Sequence, residues 1–143
     1  MRWKYAKLLG NLANALDATT DRGDGFADIA DAARAEGRQV LAAARIEPMN
    51  PDVVTGRRGR QVETAPVEGH TRSGSSSWQT LARGTGSIEA DYLNGEIALL
   101  GRMHGVPTPV NLTLQWLARA EAEAANGPGR LAVADVRAAI ARA

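Results

Sequence analysis

Trp3-Lys4-Tyr5-Ala6-Lys7-Leu8-Leu9-Gly10-Asn11-Leu12-Ala13-Asn14-Ala15-Leu16-Asp17 sorts its side chains by chemistry at helical spacing. At about 100° per residue, Tyr5, Leu8, Leu9, Leu12 and Leu16 fall on one broad face. Lys4, Lys7, Asn11 and Asn14 fall on the opposite side. The spacing predicts a helix over residues 3–17 that buries the leucines. The polar ridge is unusual for a merely solvated face: asparagine is a poor interior helix residue, and two of them on one ridge cost stability if they only meet water. Amide groups beside an ammonium suit a bound carboxylate or hydroxyl instead.

The same periodicity recurs along the chain. A turn-rich segment, Thr19-Thr20-Asp21-Arg22-Gly23-Asp24-Gly25, leads into a second helix over 26–45. Its buried stripe is Phe26, Ile29, Ala30, Ala33, Val40, Leu41 and Ala44, with Gly37 as a weak point. Residues 46–75 break the pattern with Pro48, Pro51, Gly56, Gly59, Pro66, Gly69 and Gly74. An irregular stretch of that length is a functional loop, a mobile one, or one hiding a short helix. Ser75-Ser76-Ser77 before Trp78, Leu81 and Ala82 predicts a capped short helix. A third long helix is expected over 88–104, stopped by Gly105, Pro107 and Pro109. Asn111 is the expected cap of a helix through 125, and a last helix is expected over 131–142.

Composition agrees with helices. Of 143 residues, 27 are alanine and only 28 are Leu, Ile, Val or Phe. Small side chains and few aromatics suit closely packed helices better than a β-sandwich, and the length suits one domain. With 17 Lys+Arg against 16 Asp+Glu, the net charge gives no general reason to expect nucleic acid. Arg57-Arg58-Gly59-Arg60 is a basic cluster without an aromatic platform, read as a solvated loop rather than a nucleic-acid site. No apolar run approaches a membrane span. Asn11, Asn14 and Asp17 interrupt what a signal peptide would keep apolar. The absence of cysteine is compatible with the cytoplasm. His70 and His104 lack metal-ligand spacing, so no metal site is expected. Gly84-Thr85-Gly86-Ser87-Ile88-Glu89 begins like a dinucleotide fingerprint but ends in Glu and follows no predicted strand. Glu89 and Asp91 sit where the macrodipole of the third long helix favours carboxylates. The serines at 75–77 are a cap or an anion site.

The stretch Ser75-Ser76-Ser77-Trp78 through Ser87-Ile88-Glu89-Ala90-Asp91-Tyr92-Leu93-Asn94-Gly95-Glu96-Ile97 resembles the C-terminal helical domain of the ketopantoate reductase family. His104-Gly105-Val106-Pro107-Thr108-Pro109-Val110-Asn111 is similar to another segment of that domain, and the opening helix with Lys7, Asn11 and Asn14 is similar to a third. Together they cover roughly residues 3–119. The resemblance implies an all-α helical bundle over 1–143, with 46–75 a long irregular loop and 120–143 a helical extension. It implies that Lys7 is the general acid that protonates the substrate carbonyl while NADPH delivers hydride. Glu89 is then the second catalytic residue, orienting substrate and lysine. Asn11, Asn14 and Ser77 are the substrate-binding residues, Ser77 holding the carboxylate. Such a lysine beside a developing alkoxide is sound chemistry. Two departures stand out: Asn14 lies one residue nearer the lysine than its counterpart and lacks the Pro-Leu that follows it, and Trp78 stands where the family often has Met.

The expected function is therefore the substrate-binding and catalytic half of an NADPH-dependent 2-oxo acid reductase, acting on 2-dehydropantoate or a related branched oxo acid in the cytoplasm. The family's N-terminal Rossmann domain is expected to be absent from this chain, which leaves the cofactor-binding residues unassigned. The chain alone is then inactive and binds no cofactor tightly, because hydride transfer needs donor and acceptor held together. The expected partners are a small oxo acid and a Rossmann domain, with a homodimer allowed because the family's helical domains can pair. The reading from a different class is a non-catalytic helical interaction module on which Lys7, Ser77 and Glu89 are remnants.

Overall fold

The structure, a computed structural model, describes residues 2–50, 75–84 and 89–143. His70, Arg57, Arg58, Arg60 and most of the 46–75 stretch lie outside the described residues, as does the expected start of a helix at Ile88. The opening stretch is helical but broken. Helix α1 spans Arg2–Asn11 and α2 spans Asn14–Thr19, with a turn at Leu12 and Ala13 between them. The reason is local: Gly10, Asn11 and Asn14 are weak helix formers clustered at one point. The break is held from outside by the Asn94 side chain, whose Nδ2 donates to the Leu12 carbonyl at 3.0 Å. Leu12 within the break and Leu16 just after it, both on the expected inner face, are fully buried.

Helix α3 spans Phe26–Ala43, α4 Ser76–Ala82, α5 Ala90–His104, α6 Pro109–Glu123 and α7 Val133–Ile140. The fold is all-α. Among the described residues the only extended pairing is one isolated bridge, Thr20 to Leu131. Helices α5 and α6 lie side by side, α3 packs on both, and α2 sits between α4 and α6. Ile29, Ala30, Ala33, Val40 and Leu41 of the expected α3 stripe are buried, whereas Phe26 and Ala44 at its ends are only half-buried. Gly37 has a packing reason: a Cβ there would lie 2.7 Å from Leu9 Cδ2 and 2.8 Å from Leu12 Cδ1. The absence of a side chain lets α1 approach α3 closely.

Helix ends follow the chemistry of their residues. Ser75 caps α4, its Oγ accepting from the Trp78 N–H at 3.3 Å. Gly105, at φ 68°, ends α5 in the left-handed conformation that favours glycine. The N–H of Val106 then returns to the Gly101 carbonyl at 2.8 Å. Asn111 corrects an expectation. Pro109 starts α6, and Asn111 is not its cap but a fully buried residue inside it. Its Nδ2 donates to the Ala33 carbonyl at 2.9 Å and to Glu36 Oε2 at 2.8 Å, while its Oδ1 accepts from Asn94 Nδ2 at 2.9 Å. The capping is done across the fold by Glu36 of α3, which accepts from the N–H groups of Val110 and Asn111 at 2.8 and 2.9 Å. The α7 region is tied to the end of α2 by Leu131 N–H to Thr19 O at 2.8 Å and Gly129 N–H to Ala18 O at 2.9 Å.

Candidate functional site

A cleft of about 660 Å³ opens where the polar ridge of α1 faces the N-terminal ends of α4 and α5. Trp3, Lys4, Lys7, Leu8 and Asn11 come from α1, Ser76 from α4, Glu89 from just before α5, and Tyr92 and Leu93 from its first turn. The lining therefore combines an ammonium, an amide, a hydroxyl and a carboxylate with aromatic and aliphatic surface. Of the residues expected from sequence, the fold brings Lys7, Asn11 and Glu89 to this one cleft.

Lys7 is exposed and its Nζ sits 5.6 Å from the centre of the Trp3 ring. Among the described residues no carboxylate pairs with it, whereas neighbouring Lys4 is paired with Glu96 at 3.5 Å. The ring face against the ammonium is a cation–π contact. Glu89 accepts from the Ser76 hydroxyl at 3.0 Å, which links the start of α4 to the start of α5. The serine on the cleft wall is thus Ser76. Ser77 is fully buried, and its Oγ has no hydrogen-bond partner among the described residues. Asn14 is half-buried and does not line the cleft; its backbone carbonyl accepts from the Ser75 hydroxyl at 3.4 Å. The second expected amide is displaced because the break at Leu12 and Ala13 turns α2 away from the α1 ridge.

Sequence reasoning missed Asp17. It is buried, and its Oδ2 accepts from the Ser75 N–H at 2.7 Å while Oδ1 takes the Arg22 guanidinium. Burial pushes its carboxyl up, but the hydrogen bonds from Ser75 and the Arg22 charge outweigh that and hold it below the usual carboxylate value. A carboxylate interrupting an apolar helix face is the signal that could have found it. Trp3, Tyr92 and Leu93, part of the apolar lining, were likewise not assigned a role.

The known proteins this chain is similar to bear on what such a cleft does. Residues 1–122 match the family described as ketopantoate reductase PanE/ApbA C terminal. The chain belongs to this family. Among solved structures, a PanE/ApbA family ketopantoate reductase from Ralstonia eutropha JMP134 is 32% identical with a TM-score of 0.64, over 85% of this chain and 41% of that one. A D-mandelate dehydrogenase, solved as a ternary structure with NADH and anilino(oxo)acetate, is 23% identical with a TM-score of 0.59, over 86% of this chain and 41% of that one; that likeness speaks for the fold alone. No curated protein matches the chain. The ketopantoate reductase domain seen here thus spans about two-fifths of the length of these solved relatives. Helix α7 lies past the residues the family match covers.

Two absences are confined to the described residues: no helix is long and apolar enough to cross a membrane, and no three His, Asp or Glu groups gather as a metal site. Nor do the described residues include a strand running into a glycine-rich turn and helix, the arrangement that cradles a pyrophosphate.

Proposed function

We infer that this chain is the substrate-binding and catalytic half of an NADPH-dependent 2-oxo acid reductase, reducing 2-dehydropantoate or a related branched oxo acid. The observation that carries the reading is the meeting of a lysine without a carboxylate partner among the described residues, an amide and a Ser76–Glu89 pair on one cleft of a ketopantoate reductase domain. An oxo acid offers a carboxylate and a ketone, and the cleft offers a donor for each. In this reading the Asn11 amide donates to the carboxylate, and the Ser76 hydroxyl turns from Glu89 to donate to it when the acid binds. Before the acid binds, Glu89 accepts from that hydroxyl and holds it at the cleft; with the acid bound, Glu89 orients the substrate and Lys7. Lys7 donates to the ketone oxygen.

In a complete enzyme a nicotinamide cofactor held on a Rossmann domain would supply the hydride. As the carbonyl carbon gains it, Lys7 gives its proton to the oxygen, so that no free alkoxide forms, and the resulting neutral amine regains a proton from water. The apolar lining of Trp3, Leu8, Tyr92 and Leu93 receives the branched carbon chain of the acid. In this reading these residues hold the oxo acid, and reaction requires a hydride donor brought to the same carbon.

The test is a titration of the isotope-labelled chain with 2-dehydropantoate, followed by NMR. The expected result is saturable shifts centred on Lys7, Asn11, Ser76 and Glu89, and none with NADPH alone at comparable concentrations. Shifts absent from those residues, or turnover by the purified chain, would overturn the reading. The first of these results would favour a non-catalytic interaction module.

A further inference from the structure

We propose that Asp17, which lies outside the cleft, is a positioning residue for it: by fixing the start of α4 it sets the Ser76 hydroxyl against Glu89. The proposal rests on the cleft being an oxo acid site. The geometry is a relay of short contacts. Asp17 Oδ2 takes the N–H of Ser75 at 2.7 Å, and the Ser75 hydroxyl reaches back to the Asn14 carbonyl at 3.4 Å while accepting from Trp78 N–H at 3.3 Å. Ser75 is thereby pinned to α2 through both its backbone and its side chain. Ser76, the next residue, donates to Glu89 Oε2 at 3.0 Å. Helix α4 has only 7 residues and cannot hold its own orientation by length. Its N-terminal anchor therefore decides where the Ser76 hydroxyl stands.

Asp17 is also placed to be a dependable anchor. It is 7% exposed, and Arg22, itself exposed, neutralises it from the solvent side. The carboxylate has two separable jobs: Oδ1 serves the ion pair with Arg22, and Oδ2 serves the Ser75 N–H. A purely structural role would depend on both together. A positioning role depends on the second alone.

That separation makes the test. The affinity of the chain for 2-dehydropantoate is measured by NMR titration for the wild type, Asp17→Ala, Asp17→Asn and Arg22→Ala, alongside the melting temperature of each. Asp17→Ala removes the acceptor for Ser75 and is expected to weaken binding about tenfold, since a small misplacement of a binding group has effects of that size or larger. Asp17→Asn keeps an amide oxygen for the Ser75 N–H and is expected to bind within about threefold of wild type, as is Arg22→Ala, although both lose the ion pair and melt lower. Charge alone predicts the opposite sign, because removing a carboxylate favours an anionic ligand; a weakening is therefore geometric. Equal binding by wild type and Asp17→Ala overturns the proposal while leaving the cleft assignment intact. Affinities that fall in step with melting temperature across all three variants overturn it in favour of a structural role. No binding by the wild type overturns both the proposal and the function it rests on.

Discussion

Replacing Asn111 by alanine should cost this protein a large share of its stability, although the residue touches no ligand and a sequence reading makes it a mere helix cap. The side chain makes three hydrogen bonds in a buried setting: to the Ala33 carbonyl, to the Glu36 carboxylate and from the Asn94 amide, all between 2.8 and 2.9 Å. A neutral bond contributes about 1 kcal/mol net, one to a charged group about 2 kcal/mol, and each buried partner left unpaired costs about 1 kcal/mol more. Three lost bonds and the stranded Ala33 carbonyl therefore amount to roughly 4–5 kcal/mol. The total stability of a domain is only about 5–15 kcal/mol. At about 2–4 °C per kcal/mol for a chain of this size, the melting temperature should fall on the order of 10 °C. Urea unfolding of the variant reads the free energy directly, and calorimetry reads the shift. Asn126→Ala is the control: Asn126 is exposed and accepts one bond from Arg130 at 3.2 Å, so its loss should stay within about 0.5 kcal/mol. A cost for Asn111→Ala below about 1 kcal/mol would refute the reasoning, because the network would then not be holding α3, α5 and α6 together.

Two glycines give opposite signs. A Cβ on Gly101 would stand 2.7 Å from the Val106 carbonyl oxygen and 2.8 Å from Thr108 Cγ2, so Gly101→Ala should destabilise by about 1–3 kcal/mol, while Gly10→Ala, with nothing within 4 Å, should stabilise by up to about 1 kcal/mol; thermal melts decide both. Asp17 sets an acid limb. Its folded-state carboxyl lies below the ordinary value of 3.8, so folding releases protons as pH falls toward that value. The stability it contributes is full above the unfolded value and is lost as pH drops through the lower folded one. Urea melts from about pH 6 to about pH 3 should therefore show a steeper loss for wild type than for Asp17→Asn, and parallel curves would contradict the ionised anchor.

Much of the fold was legible because helices announce themselves twice, by apolar period and by their ends. Gly105 marks the end of α5 in sequence and in structure alike, and Ser75 caps α4 as the serine run predicts. What was not legible depends on partners far along the chain. The break at Leu12 and Ala13 is held by Asn94, and Asn111 is turned inward by Ala33, Glu36 and Asn94. An asparagine near a helix start reads as a cap until those partners are known. At the site, Lys7 and Asn11 were legible as a ridge at helical spacing, whereas the exchange of Ser76 for Ser77 on the cleft wall was not. Neighbouring serines at a helix start differ by about 100° in direction, and only the packing of α4 on α2 decides which one faces Glu89. The low count of large aliphatic residues also finds an explanation. Alanines such as Ala18, Ala33 and Ala118 fill the core at close helix approach, while Trp3 and Tyr92 stay exposed beside the cleft at 49% and 83%.

The central claim is that Lys7 is the acid of an oxo acid reductase. It is tested most directly by joining this chain to a dinucleotide-binding domain of the same family and following NADPH oxidation with 2-dehydropantoate. The account predicts oxo-acid-dependent turnover, with Lys7→Ala lowering kcat by at least about 100-fold while KM moves by only a few-fold. A Lys7→Ala enzyme that keeps its kcat would contradict it.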